Sequence, residues 1–162
     1  MKGGKRCQSE IDKFVEQLQG EITEEEKATF SGIVIDRFMN PRNLGGILEP
    51  DGYARITGIC GDTLEIYLKI RDENIAECLF LTDGCGPTIA CGSIVTELAS
   101  GKNIQEAKGI SQDIVLEACG GLPESHTHCA MLAAYTLGEA IREYETLKRN
   151  PWKKAYRKLS KK

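Results

Sequence analysis

The segment TLEIYLKIR, residues 63–71, carries the clearest structural signal in this chain of 162 residues. Its apolar residues alternate with polar or aromatic ones, which is the pattern of a β-strand with one buried face. We expect that face to hold Leu64, Ile66, Leu68 and Ile70 against the core while the opposite face meets water. A strand with one solvated face is typical of an antiparallel sheet.

Two further strands are predicted beside this segment, over residues 53–59 and 75–82, with a turn at residues 72–74. Beyond them the pattern changes to helices, which we predict over 87–100, 103–108, 112–119 and 125–147. Because the strands come first and the helices follow, we expect an α+β fold: a three-stranded antiparallel sheet with helices packed on it.

Helical patterns also precede the sheet. Apolar residues at helical spacing between positions 11 and 22 predict a short amphipathic helix. Thr23 and Glu26 form a capping-box pattern, which predicts a second helix from Thr23 through Phe38 that ends before Asn40. We therefore divide the chain into an N-terminal extension, a central domain and a basic C-terminal tail, which comprise residues 1–22, 23–147 and 148–162 respectively.

Charge separates the tail from the rest of the chain. The whole chain has 21 basic and 24 acidic residues, but residues 148–162 contain eight basic residues and no acidic one. Such a tail is either a solvated, frayed end or a docking segment for an acidic partner or nucleic acid. The remaining chain is acidic, which opposes nucleic-acid binding, so we do not expect that partner.

No pattern in the chain predicts membrane insertion or export. Apolar runs stay well below the roughly 20 residues of a membrane-spanning helix, and the first residues lack the apolar core of a secretory signal. Glu10 and Asp12 also disfavour a mitochondrial transit peptide, so we expect a soluble cytoplasmic protein. The seven cysteines are then metal ligands, catalytic thiols or small core residues rather than a disulfide framework.

Three of the cysteines occupy loops framed by glycine or proline. Cys60 and Asp62 lie in the turn between the first two strands, Cys85 opens a helix after the third strand, and His128 and Cys129 stand near the start of the long helix. A helix N-terminus favours a thiolate, and thiolates select zinc or iron–sulfur clusters. We expect the three loops to converge at one end of the sheet; the alternative is three unrelated buried cysteines.

The chain resembles the IscU/NifU-type iron–sulfur cluster assembly scaffolds, whose NifU members carry this module as an N-terminal domain. The matching segments, between about residues 30 and 147, are Asn40–Asn43, Cys60–Asp62, Gly84–Gly86, Ile89–Ala90, Leu122–Pro123 and His128–Cys129. The resemblance implies an IscU/SufE-like fold and a scaffold that is not itself an enzyme. It implies a transient 2Fe–2S cluster, built from iron and from sulfur supplied by a cysteine desulfurase, and then passed to acceptor apoproteins.

By position, the resemblance assigns the cluster and metal ligands to Cys60, Asp62, Cys85, His128 and Cys129, and the sulfur acceptor to Cys129. A permanent cluster prefers four thiolates, so three thiolates with one harder ligand suit assembly and release. Whether Asp62 or His128 completes the set is open, as is a homodimer. Asp62 is either an exchangeable ligand or a residue that shapes its turn. We also expect zinc to replace iron in some preparations.

Several residues depart from the family pattern. Many relatives carry Lys at the position of His126, in the segment that docks a chaperone pair. Because this chain has His there, the resemblance gives weaker support for binding of that chaperone pair. His126 is either a solvated loop residue or a second imidazole near the site. Cys91, where relatives often carry Ser, is either a packed residue or a spare thiol; Cys78 and Cys119 are predicted to be structural, and Cys7 has no assigned role.

Two other functions would use the same residues. A sulfur-relay protein would carry a persulfide on Cys129 without building a cluster. A structural zinc protein would bind its ion through the same thiols together with Asp62 or His128.

Overall fold

A three-stranded antiparallel sheet in the order β1-β2-β3 forms the centre of the molecule in the computed structural model, which describes residues 28–159. Strand β1 spans Gly52–Thr57, β2 spans Thr63–Arg71 and β3 spans Asn74–Thr82. Both strand pairs are antiparallel, which confirms the predicted arrangement of the sheet.

The buried face of β2 is the one that the alternating pattern indicates. Leu64, Ile66 and Leu68 have no exposed surface. Ile70 is only half-buried and lies at a register shift that follows Lys69, where the regular alternation of the strand ends.

Helices cover this buried face. The structure has α1 at Gly32–Met39, α2 at Gly86–Ala99, α3 at Ile104–Lys108, α4 at Gln112–Ala118, α5 at Thr127–Arg149 and α6 at Lys153–Leu159, with a 3₁₀ turn at Glu124–His126. Helix α5 packs against β1 and β2, and α2 packs against β3, which confirms the α+β fold class. None of the helices in residues 28–159 has the length and apolar character that a membrane span requires.

Helix α1 begins later than the capping-box pattern predicts. Residues 28–29 are helical, but the chain bends at Phe30, and Ser31 caps a new helix by accepting a hydrogen bond from the Val34 N–H at 3.2 Å. The Ser31 hydroxyl also donates to the carbonyl of Cys119, which fixes this cap in place. The prediction of one continuous helix through Phe38 is therefore wrong, because a new helix starts at the Ser31 cap. Thr23 and the helix predicted over residues 11–22 lie outside the described residues.

The first strand is shorter than predicted because its end belongs to a tight turn. Gly58 N–H donates to the Asp62 carbonyl at 2.8 Å, and Gly61 N–H donates to the Gly58 carbonyl at 3.1 Å. Gly61 adopts a φ of +88°, a conformation that favours glycine. This geometry places Cys60 and Asp62 at the end of the sheet.

The basic tail is not simply frayed, since part of it forms α6. Arg157 donates to Glu143 of α5 at 2.9 Å and also to the carbonyl of Pro50, while Lys154 Nζ lies 3.5 Å from a carboxylate oxygen of Asp51. Of the two alternatives for the tail, a frayed end does not describe residues 153–159, because acidic groups of the domain pair with Lys154 and Arg157. The division of the chain at residues 22 and 147 stays a prediction.

Loops cover the outer edge of β3 at two places. The N–H of Phe80 donates to the Asn43 carbonyl at 3.0 Å, and the Gly45 N–H donates to the Phe80 carbonyl at 2.8 Å. At the other end of the strand, Ile75 exchanges two hydrogen bonds of 2.8 Å with residues 101–102. The backbone N–H and C=O groups of Phe80 and Ile75 on this edge strand are thus hydrogen-bonded to the loops.

Candidate metal centre

Three connections meet at one end of the sheet. They are the β1–β2 turn, the β3–α2 connection and the 3₁₀ turn that leads into α5, and each carries one of the predicted thiols or a neighbour of it. Their convergence follows from the topology, because β2 begins beside the end of β3, and only three residues separate β3 from α2.

Cys85, His126 and Cys129 form a compact group of donors. One ligand atom from each residue lies within 4.8 Å of the other two. Cys85 is exposed and precedes the first turn of α2, whereas Cys129 has no exposed surface. Two thiols and an imidazole at this separation are a donor set suited to zinc or iron.

Asp62 is held against the start of α2. The Thr88 hydroxyl donates to its Oδ2 at 2.6 Å, and the Cys85 N–H donates to the same oxygen at 3.2 Å. The hydrogen bond from Thr88 is the main cause that lowers the pKa of Asp62; burial opposes it, and the Cys85 N–H and the thiols of Cys85 and Cys60 add to the lowering. The carboxylate is therefore ionised at the site.

Thr88 is a site residue that the sequence did not single out. Its side chain is buried, and its Oγ1 lies 3.4 Å from Cys129 Sγ and 3.5 Å from Cys85 Sγ. It therefore connects both thiols with Asp62. Its position three residues after Cys85 on a predicted helix was the available signal, because residues at this spacing share one face.

The other predicted residues adjoin the three-donor group without belonging to it. Cys60 is exposed in the β1–β2 turn, two residues before Asp62, and its thiol is one of the groups that lower the pKa of that carboxyl. The ring of His128 lies 6.3 Å from that of His126, measured between centroids. The structure thus groups His126, rather than His128, with Cys85 and Cys129, and it leaves the predicted cluster ligands as predictions.

Burial sets the protonation of Cys129. It raises the pKa of this thiol to about 11, an effect that the hydrogen bond with Thr88 partly offsets and that the nearby sulfurs of Cys85 and Cys60 reinforce. Near neutral pH Cys129 is therefore a thiol, and a bound metal ion would release its proton.

A second pair of thiols lies behind the site. Sγ of Cys91 in α2 is 4.0 Å from Sγ of Cys119 at the end of α4, and both residues are fully buried. The contact with Cys119 and burial raise the pKa of Cys91, and the sulfurs of Cys129 and Cys85 contribute to the same shift. Cys91 is therefore both a packed residue and a neighbour of the site thiols.

Comparison with known proteins identifies the family. A family model described as the NifU-like N terminal domain matches residues 29–150. The chain belongs to this family. Two relatives of this NifU-like chain in Archaeoglobus fulgidus, both named iron-sulfur cluster assembly scaffold protein IscU, are 46% identical to it over 116 residues, or 71% of this chain and 76% of each relative. The Escherichia coli K12 protein named iron-sulfur cluster assembly scaffold protein IscU is 37% identical over 122 residues, or 72% of this chain and 94% of its own.

Solved structures share the NifU-like fold. An N-terminal NifU-like protein from Brucella abortus superposes with a TM-score of 0.55 at 20% identity, and covers 72% of this chain and 94% of its own. A protein from Fervidobacterium islandicum AW-1 gives a TM-score of 0.57 at 20% identity, with coverages of 69% and 96%. At these identities the structures support the fold alone.

Proposed function

We propose that this NifU-like chain is an iron–sulfur cluster assembly scaffold. It assembles a transient 2Fe–2S cluster from iron and desulfurase-derived sulfur, and it passes that cluster to acceptor apoproteins. The observation that carries the proposal is the meeting of Cys85 and Cys129 with the adjoining Cys60 and Asp62 at one end of the sheet. The relatives' names give the same function for those proteins.

Cys60, Cys85 and Cys129 are the proposed thiolate ligands of the cargo cluster. Asp62 is the proposed fourth ligand, and its support is an ionised carboxylate beside Cys60 and Cys85. His128 stays the alternative fourth ligand. A single oxygen or nitrogen ligand beside three thiolates favours release over permanent storage.

Cys129 is the proposed acceptor of sulfur. In this step the Cys129 thiol first loses its proton, and the resulting thiolate attacks the outer sulfur of the desulfurase persulfide. A new S–S bond forms at Cys129, the S–S bond of the donor breaks, and the donor cysteine leaves as a thiolate that can take up the released proton. Because Cys129 is fully buried, a desulfurase reaches its sulfur only after the site opens locally. The scaffold role needs no catalysis by the chain itself. A cytoplasmic location stays a prediction.

Anaerobic reconstitution tests this function. The metal-free protein receives ferrous iron, sulfide and a thiol reductant, and we expect visible charge-transfer bands with iron and sulfide bound in equal amounts. Replacement of Cys60, Cys85 or Cys129 by Ser should reduce the bands, whereas Cys78→Ala, at a buried position within β3, should retain them.

The outcome also separates the competing functions. Sulfur taken up from a desulfurase is detected as added mass. If the protein gains this mass but never forms a chromophore, it is a sulfur relay. Transfer to an apo-ferredoxin is the final step, and a stable cluster that is never transferred would contradict the scaffold function.

A further inference from the structure

We propose that Cys85, His126 and Cys129 form a mononuclear metal site, in which the imidazole of His126 binds a single Zn²⁺ or Fe²⁺ ion through Nδ1. The family resemblance assigns the imidazole ligand to His128, so this site is an additional one that shares two thiols with the cluster. It builds on the proposed function in using those two thiols.

The distances fit such an ion. In a tetrahedral site with Zn–S bonds of about 2.3 Å and Zn–N bonds of about 2.0 Å, ligand atoms lie roughly 3.5–4 Å apart. The donor atoms of Cys85, His126 and Cys129 lie within 4.8 Å of one another. The three side chains therefore need to close by only about 1 Å, which is within the reach of rotations about side-chain bonds.

The environment of His126 independently indicates a missing partner. Its Nδ1 is the one buried side-chain nitrogen or oxygen among the described residues that has no hydrogen-bond partner. A buried polar atom without a partner costs about 1–3 kcal/mol. A metal ion coordinated at this nitrogen would remove that penalty, and the ligands that would hold it are the thiols of Cys85 and Cys129, which lie within 4.8 Å of a nitrogen of the same ring.

The turn that carries His126 is fixed on several sides. The His126 N–H donates to the Pro123 carbonyl at 2.8 Å, and the ring packs on Phe30 with 5.3 Å between ring centroids. Gln112 of α4 donates from Nε2 to the Thr127 carbonyl at 3.2 Å. These contacts hold the imidazole beside the thiols rather than in solvent.

The two ligand sets come from different segments of the chain. Asp62 stays bonded to Thr88 and to the backbone of Cys85, while His126 approaches from the turn before α5. A single ion bound through His126 can therefore occupy Cys85 and Cys129 before the cluster is built, and it must leave or be incorporated when Cys60 and Asp62 engage.

Zinc and cobalt binding to the metal-free protein tests the site. Zn²⁺ affinity is measured by competition with a chromophoric chelator, and Co²⁺ gives sulfur-to-metal charge-transfer bands together with d–d bands that report coordination. We compare His126→Ala with His128→Ala, its rival two residues away, and with Ser125→Ala, an exposed position in the same turn.

We expect His126→Ala to lower Zn²⁺ affinity by about tenfold or more, in line with the losses seen when residues around metal sites are removed. Its Co²⁺ d–d bands should shift while the charge-transfer bands from two thiolates remain. Ser125→Ala should bind as the wild type does, and His128→Ala should show the smaller loss. Equal losses in the two histidine variants, or a larger one in His128→Ala, would overturn the proposal.

Two controls keep the result interpretable. Circular dichroism of each metal-free variant reports the fold, and His126→Gln replaces His126→Ala if the latter does not fold. Iron and sulfide reconstitution of the wild type tests the scaffold function separately. If the wild type forms the cluster chromophore but His126→Ala binds zinc as tightly as the wild type, only the His126 site is refuted. If His126→Ala weakens zinc binding but the wild type forms no chromophore, only the scaffold function is refuted.

Discussion

The hydroxyl of Thr88 is the link between the carboxylate and the thiols of the site. It donates to Asp62 at 2.6 Å while lying against the sulfurs of Cys85 and Cys129. Asp62 therefore does more than shape its own turn, since its contacts join the β1–β2 turn to the start of α2.

We predict that Thr88→Val destabilises the metal-free protein by about 1–2 kcal/mol, because Asp62 loses a hydrogen bond to a charged group. Urea unfolding measures the change. The control is Thr136→Val in α5: Thr136 is equally buried, but its hydroxyl donates to the Leu132 carbonyl of its own helix, so its loss should be smaller. Equal losses would mean that the bond to Asp62 is not special.

The reactivity of five of the described cysteines should follow burial. In the metal-free protein we expect iodoacetamide to label exposed Cys60 and Cys85 first and Cys129 much more slowly, because burial raises the pKa of Cys129 to about 11. Cys78 and Cys91 should react only after unfolding. Burial raises the pKa of Cys78, and the contact with Cys119 together with burial raises the pKa of Cys91. Peptide-resolved mass spectrometry measures the order, and labelling of Cys129 as fast as Cys60 would contradict it.

At this scale the sequence predicted where site residues stand better than how they interact. Glycine and proline around Cys60 and Cys85 indicated loops at element ends, which follows from local backbone preferences. Thr88 and His126 gain their importance from contacts between segments far apart in the chain. The family resemblance favoured His128 over His126 as a ligand, and only the structure groups His126 with Cys85 and Cys129.

Helix α2 lies unusually close to the sheet at Gly92. A Cβ placed there would sit 2.6 Å from the ring of Phe80 in β3. The absence of a side chain therefore sets the distance between the helix that Cys85 precedes and the sheet beneath it.

We predict that Gly92→Ala destabilises the protein by about 1–3 kcal/mol, because the ring and the helix must separate. The matched control is Gly138→Ala in α5, where a Cβ would meet nothing within 4 Å. That variant should be more stable by about 0.5–1 kcal/mol, since alanine is the better helix former. Thermal and urea unfolding measure both changes, and a neutral Gly92→Ala would show that α2 can shift freely.

Glu97 anchors α1 to α2 and should make stability depend on pH. Arg37 donates to both of its carboxylate oxygens, at 2.6 and 3.0 Å. Partial burial acts to raise the pKa of Glu97, but the bonds and charge of Arg37, with help from Ser93 and Arg42, outweigh it and leave the pKa below its usual value.

A carboxylate with a lowered pKa stabilises the fold above its unfolded-state pKa, and this contribution is lost as pH falls through the lowered value. We therefore predict that Glu97→Gln loses about 1 kcal/mol at neutral pH, and that the difference from wild type shrinks once the pH falls below about 4. Urea unfolding across pH measures this, with Glu117→Gln at an exposed position of α4 as the control. A difference that persists at low pH would indicate a packing effect instead.

Secondary structure was predictable where one pattern dominated. The alternation in β2 gave its bounds as observed, Thr63–Arg71, because burial on one face requires that period. The start of α1 was not predictable from the capping box, since Ser31 is an equally good cap and its bond to the Cys119 carbonyl is a contact 88 residues away in sequence. Where two local capping signals are equally strong, tertiary contacts determine which of them starts the helix.

On the scale of the whole molecule, opposite charges hold the C-terminal helix to the domain. Arg157 bonds to Glu143 and to the Pro50 carbonyl. The charge contrast was visible in the sequence, but it did not reveal that the acidic partner is the domain itself.

We predict that Arg157→Ala releases α6, so that trypsin cleaves faster after Lys153 and Lys154, while the unfolding midpoint of the domain changes little. Limited proteolysis followed by mass spectrometry measures the rate. Arg142→Ala, which removes an ion pair within α5, is the control and should leave cleavage at these lysines unchanged. Unchanged cleavage in Arg157→Ala would mean that other contacts retain the helix.

The loops that bond to β3 also affect how copies of the molecule meet. A sheet of three strands has two edges, and an open edge is a template for strand pairing between molecules and so for aggregation. Residues 43–45 and 101–102 already occupy backbone groups of Phe80 and Ile75 on one of these edges. A strand from another copy would have to displace native hydrogen bonds there, so this edge is protected from self-association.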